Sequence, residues 1–91
     1  MKVYLITYDL NASGKNYTEL FDAIKAYKDW QHPLESTWFI VSGQTANEIY
    51  ENLRKVIDDN DNLFVVEISK ANHQGWLPKS FWEWLNSKKD V

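Results

Sequence analysis

The sequence predicts an α+β sandwich, with two helices on one face of a mainly antiparallel sheet. Three observations carry that expectation. Apolar runs of strand length and stripes of helical spacing alternate in the order β-α-β-(β)-α-β, a split βαβ pattern. The second helical stripe carries its own start signal. The chain has 91 residues, which is room for one domain with a single core. That domain divides into a core over 1–70 and an aromatic carboxy-terminal extension over 71–91.

The first strand covers residues 2 to 9, with Val3 and Leu5 on one face and Tyr4, Ile6 and Tyr8 on the other. Asn11-Ala12-Ser13-Gly14 supplies turn chemistry. Asn16 and Glu19 have the spacing of a capping box, and Tyr17, Leu20, Phe21, Ile24 and Tyr27 recur at helical spacing. A helix is expected from about 17 to 29, with Lys25, Lys28 and Asp29 on its outside. Pro33 breaks the chain, and Leu34 to Ser42 reads as extended, either one bent strand or two short ones meeting near Ser36.

Thr45 and Glu48 form a second capping box. Behind it, Ala46, Ile49, Tyr50, Leu53, Val56 and Ile57 trace one apolar stripe. Asp58 to Asn62 is a turn, and Leu63 to Ser69 is a strand with apolar residues on both faces. Lys70 to Gly75 is polar. Trp76 to Lys89 predicts a short helix, with Pro78 in its first turn and Lys88 and Lys89 near its end, where the helix dipole favours cations.

The strands at 3–8, 38–41 and 63–68 are apolar on both faces, yet two helices cover only one face of a sheet. A bare second face would expose a larger apolar patch than monomers usually carry. A second subunit is the expected cover, with the aromatic tail as its rival.

Composition narrows the function classes. A formal net charge of −3 argues against nonspecific adhesion to nucleic acid, which needs many cations to displace counterions. Arg54 is the only arginine, so bidentate reading of phosphates or guanine edges has almost no donor. No apolar run reaches membrane-spanning length, and residues 2–10 lack a signal-peptide pattern, so a cytoplasmic protein is expected. The sequence has no cysteine, which removes disulfides and thiolate metal sites.

Asp9 is the leading chemical candidate. An acid at a strand end is costly to bury without a partner. It can ligate Mg²⁺ or Mn²⁺, which keep several waters and take one or two carboxylates plus a substrate phosphate. A two-fold axis would pair the Asp9 residues of two copies. The competing reading is that Asp9 accepts hydrogen bonds from the turn containing Asn11.

Gly14-Lys15 before a helix fails the phosphate-loop pattern, because Asp9 stands where the first Gly belongs and Asn16 follows the lysine. Lys15 could still hold one phosphate at the helix start. Asp58, Asp59 and Asp61 imitate a calcium loop, but Phe64 occupies the glycine position, and the stretch reads as a solvated turn. His32 and His73 lack partners at zinc-ligand spacing. His32 could serve Asp9 as an acid-base group if the fold joins them, against the plainer reading of a surface histidine. Trp76, Phe81, Trp82 and Trp84 could stack nucleobases, but with only Lys79, Lys88 and Lys89 nearby they read as packing residues.

Three segments together carry a resemblance: Val3-Tyr4-Leu5-Ile6-Thr7-Tyr8-Asp9-Leu10, Glu35-Ser36-Thr37-Trp38, and Asp58-Asp59-Asn60-Asp61-Asn62-Leu63-Phe64-Val65-Val66-Glu67-Ile68. The chain resembles the small CRISPR-associated adaptation nuclease superfamily with its VapD-like relatives, and within it the SinR-like branch. The first segment resembles the family's opening strand with its terminal metal-site Asp. The second resembles its Ser-x-aromatic segment, and the third its acidic turn into the last sheet strand. The basic residues expected before Ser36 are replaced by Trp30-Gln31-His32-Pro33.

The resemblance implies a ferredoxin-like βαββαβ sandwich, here with an added carboxy-terminal helix, forming a homodimer across the open sheet face. It implies a role in antiviral defence through a Mg- or Mn-dependent phosphodiesterase on RNA or DNA. Asp9 would be the catalytic and metal residue, and Tyr8, Lys15, Ser36 and Trp38 the nucleic-acid contacts. The alternative is a non-catalytic dimeric adaptor that binds a protein partner or nucleic acid.

Overall fold

The computed structural model describes residues 1–12, 14, 16–69 and 72–88. Its elements run β1 (Lys2–Asp9), α1 (Thr18–Lys25), β2 (Trp30–Leu34), β3 (Thr37–Ser42), α2 (Ala46–Arg54), β4 (Asn62–Glu67) and α3 (Lys79–Asn86). The strands form one antiparallel sheet in the order β2-β3-β1-β4. This α+β arrangement with three helices is compatible with a ferredoxin-like fold.

Alternation along the strands sets two faces. Tyr4 and Ile6 of β1 meet Ile40 and Trp38 of β3 in register, and cross-strand pairs of this kind stabilise a sheet. On that face the apolar stripes of α1 (Leu20, Ile24) and α2 (Ile49, Leu53) close the main core, joined by Ile57. The Thr45 capping box forms as its spacing predicts. The Glu48 N–H donates to Thr45 Oγ1 at 3.1 Å, and the Thr45 N–H donates to Glu48 Oε1 at 2.9 Å.

The other capping box does not form. Tyr17 is the residue before α1, and the Asn16 side chain instead accepts from the Thr18 N–H at 2.9 Å and from the Thr18 hydroxyl. This helix also stops at Lys25 rather than 29. Tyr27 and Lys28 bond back to Ile24 and Lys25 in a tightened turn, and Lys28 then takes a left-handed φ of 71°, which an α-helix cannot continue.

The extended stretch is a hairpin that starts earlier than expected, with Trp30-Gln31-His32 inside β2 and the turn at Glu35-Ser36. Pro33 does not break it, because β2 is an edge strand and the proline sits where the register shifts between Gln31 and Leu34.

The second face corrects one expectation. Part of the surface assigned to a second subunit is covered by the chain's own tail. Phe81 and Leu85 of α3 bury Val3 and Phe39, and the Phe39 and Phe81 rings lie 4.6 Å apart. The helix is shorter than predicted, with Trp76, Leu77 and Pro78 before it and Lys89 outside the described residues. Its far end is tied to the α1–β2 turn. Asp29 accepts from Trp84 Nε1 and from Lys88 Nζ, both at 2.7 Å, and the ammonium lies 4.9 Å from the Trp84 ring. The cover is partial, leaving Phe64 59% and Val66 36% exposed on β4.

Candidate functional site at the carboxyl end of the first strand

Asp9 ends β1 opposite Asn62 of β4. By strand alternation it shares a face with Val3, Leu5 and Thr7, the face that α3 only partly covers. It is exposed. Its carbonyl accepts from Asn11 Nδ2 at 3.3 Å, while its carboxylate has no hydrogen-bond or salt-bridge partner among the described residues.

The acid that closes the turn is Asp61. Its Oδ1 accepts from the Asn11 N–H at 2.6 Å and from the Tyr17 hydroxyl at 2.7 Å, and its Oδ2 accepts from the Asp58 N–H at 2.7 Å. Burial alone would raise this carboxyl's pKa. The hydrogen bonds from Asn11, Tyr17 and Asp58 outweigh burial and hold it below the ordinary range. The reading of 58–61 as a solvated turn therefore fails at Asp61, which is 9% exposed. The loop after β1 and the turn before β4 are clamped by one carboxylate that is not Asp9.

On the helix face of the same strand end, Tyr8 anchors the β2–β3 turn. Its hydroxyl accepts from Trp38 Nε1 at 2.9 Å and donates to the Glu35 carbonyl at 3.3 Å. Burial pushes the phenol above its ordinary value and the Glu35 charge adds to this, against the lowering effect of the Trp38 bond, so it stays a donor at neutral pH. The Ser36 carbonyl accepts from the Tyr8 N–H and from Thr7 Oγ1, each at 3.2 Å. Ser36 itself is exposed at the turn.

Trp38 is not the surface residue that nucleic-acid contact requires. It is 2% exposed, with His32 stacked at 3.7 Å between ring centroids, Trp30 at 5.2 Å and Phe21 at 6.0 Å. A nucleobase would have to displace His32 to reach it. The alternation Trp38-Phe39-Ile40 places Trp38 and Ile40 in the main core and Phe39 under α3, which is why this tryptophan is buried. Of the expected site residues, Tyr8, Asp9, Ser36 and Trp38 do gather at one end of the sheet, and Lys15 lies outside the described residues. His32 joins them, its Nε2 being 3.0 Å from the Glu35 carbonyl.

Two shallow hollows meet at Asp9. One, of about 320 Å³, is lined by Tyr8, Asp9, Leu10, Phe21, Glu35 and Ser36. The other, of about 270 Å³, is lined by Thr7, Tyr8, Asp9, Asn62, Leu63 and Phe64. A larger hollow of about 470 Å³ lies between α1 and α2, around Tyr27, Gln44 and Asn52. There the Tyr27 hydroxyl donates to Gln44 Oε1 at 2.9 Å and accepts from Asn52 Nδ2 at 3.2 Å.

Among the described residues, no group of three or more His, Cys, Asp or Glu could hold a metal ion. An exposed carboxylate suits a hard cation as one ligand, so one chain supplies part of a donor set. Glu35 and Asp61 were missed as site residues. Glu35 carries no sequence signal beyond its place before Ser36. Asp61 was hidden among neighbouring acids and asparagines, where only the fold distinguishes the carboxylate that turns inward.

No family model and no curated protein matches this sequence. Among solved structures, the crystal structure of a hypothetical protein TT1823 from Thermus thermophilus is similar, with a TM-score of 0.62 and 16% sequence identity. The match covers 85% of this chain and 94% of that one. At that identity the likeness shows a shared fold, a small α+β domain on a four-stranded antiparallel sheet.

Proposed function

We propose that the chain is a divalent-metal-dependent phosphodiesterase acting on RNA or DNA, with Asp9 from two copies supplying carboxylates to Mg²⁺ or Mn²⁺. One observation carries the reading. Asp61 performs the turn-closing role that would otherwise occupy Asp9, so the Asp9 carboxylate stands exposed at the end of β1 with no hydrogen-bond or salt-bridge partner among the described residues. The resemblance of residues 3–10 to a metal-bearing opening strand points the same way.

Bound there, the metal supplies charge stabilisation and an activated water. The chain's own residues hold the site. The Asp61 clamp fixes the chain just after Asp9, and the Tyr8–Glu35 and Thr7–Ser36 bonds fix the neighbouring turn. The open patch of Thr7, Phe64 and Val66 beside Asp9 is where a second copy would bring its own Asp9 close.

Cleavage of mixed RNA and DNA substrates with Mg²⁺ or Mn²⁺ tests the reading, comparing wild type with Asp9→Asn. The substitution keeps shape and removes charge, so turnover should fall by at least about a hundredfold, in line with loss of a metal ligand's charge. Cleavage at the wild-type rate in Asp9→Asn would contradict the mechanism.

The second reading, a dimeric adaptor without turnover, is favoured by the net charge of −3 and the burial of Trp38. Wild-type protein that neither binds metal nor cleaves would select it.

A further inference from the structure

The hollow of about 470 Å³ between α1 and α2 lies on the helix layer, away from Asp9 and from the open sheet face. Its volume falls within the range of about 300–1,000 Å³ that small-molecule sites occupy. From α1 come Ala23 and Ala26, whose short side chains leave the space between the helices unfilled. Facing them, Glu48, Glu51 and Asn52 of α2 and Lys55 just after it recur at helical spacing and so share one face.

Gln44 enters the hollow from the β3–α2 loop and is held at three points. Its N–H donates to Ser42 Oγ at 3.0 Å, its carbonyl accepts from the Tyr4 hydroxyl at 2.7 Å, and its Oε1 accepts from the Tyr27 hydroxyl at 2.9 Å. Ser42 and Tyr4 are themselves buried. Fixing an exposed glutamine costs side-chain entropy that surface glutamines ordinarily keep, and a group fixed beforehand binds a ligand at lower cost.

The same Tyr27 oxygen accepts from Asn52 Nδ2 at 3.2 Å. One hydroxyl thus uses the carbonyl of the glutamine amide and the NH₂ of the asparagine amide. The Gln44 NH₂ group, a donor, and Asn52 Oδ1, an acceptor, are left without partners among the described residues. Together they match a carboxamide, which accepts through its oxygen and donates through its nitrogen.

Charges of both signs flank this pair. Glu48 spends one oxygen on the capping box and Glu51 one on Asn47 Nδ2 at 3.3 Å, so each keeps a second oxygen. Lys55 stands one turn after Glu51, the spacing of a helical ion pair. No ion pair among the described residues joins it to either carboxylate.

We propose that this hollow binds a free amino acid with a side-chain carboxamide, of the size of glutamine. The ligand's carboxamide accepts from Gln44 Nε2 and donates to Asn52 Oδ1. Its ammonium pairs with Glu48 and Glu51, and its carboxylate with Lys55. The site does not rest on the phosphodiesterase reading.

NMR titration of isotope-labelled full-length protein with L-glutamine tests the proposal, with L-norleucine as the control that keeps both charged ends and loses the amide. The expected result is saturable shifts of the Gln44 and Asn52 side-chain amide signals, and binding of L-norleucine weaker by about tenfold or more. Tyr27→Phe keeps the packed ring and releases both amides, so L-glutamine should bind about tenfold more weakly to it. Asn52→Ala, at an exposed helical position, removes the acceptor and should weaken binding even if the Tyr27 variant folds poorly. Absence of saturable shifts up to about 10 mM L-glutamine would overturn the proposal. So would equal binding of L-norleucine, or wild-type affinity in both variants.

Discussion

At the residue scale, Asp61 is committed to the turn, while the Asp9 carboxylate has no partner among the described residues. Asp61 satisfies two backbone N–H groups and a tyrosine hydroxyl, which would otherwise be left unpaired. Asp61→Ala should therefore cost about 2 kcal/mol, the penalty of several orphaned donors partly relieved by water, read as a shift in the urea midpoint. The pH dependence has a definite sign. A carboxyl held below its unfolded value contributes stability that is present above about pH 4 and lost as pH falls through the folded value. Acid unfolding should thus steepen below about pH 4, and Asp61→Asn should flatten that limb of the profile. The sequence made Asp9 legible because it stands alone after a strand. It did not reveal which of Asp58, Asp59 and Asp61 turns inward, because that depends on where Asn11 and Tyr17 arrive from a distant loop.

At the element scale, α3 carries the clearest energetic prediction. Eight residues of helix are too few to be stable alone, so α3 exists because Phe81 and Leu85 are buried on the sheet. Phe81→Ala should lower stability by about 3–5 kcal/mol, a large fraction of what a domain this size possesses. Deleting residues 76–91 should lower the thermal midpoint, measured by circular dichroism; an unchanged midpoint would show that the tail contributes no net stability. Burial tends to raise the Asp29 carboxyl, but its bonds from Lys88 and Trp84 hold it below the ordinary range. The tie of α3 to the α1–β2 turn is therefore present above about pH 4 and released by protonation below it. The Thr45 cap made the start of α2 readable to the residue, while the stripe ran on to Ile57, past the helix end at Arg54; two-faced strands announced that something covers the second face. What covers it was not legible. A stripe such as Phe81–Leu85 looks the same whether it packs on its own sheet or on a partner's.

At the scale of the whole molecule, the alternation of strands and helices announces the α+β class. Of the two readings left open for the extended stretch, the structure takes the second, two short strands meeting at the Glu35-Ser36 turn, with the first of them starting earlier, at Trp30. The register of β3 buries Trp38 under His32 and brings the Glu35-Ser36 turn to Tyr8 and Asp9, a convergence that the sequence suggests only through resemblance. The central claim is that the exposed Asp9 carboxylate binds a divalent cation. Titration of isotope-labelled protein with Mn²⁺, read by paramagnetic broadening of backbone amides, tests it most directly. The account predicts that signals of residues 7–10 and 62–64 broaden first, and that Asp9→Asn abolishes this while the rest of the spectrum is preserved. Broadening centred elsewhere, or broadening at these residues that survives Asp9→Asn, would contradict it.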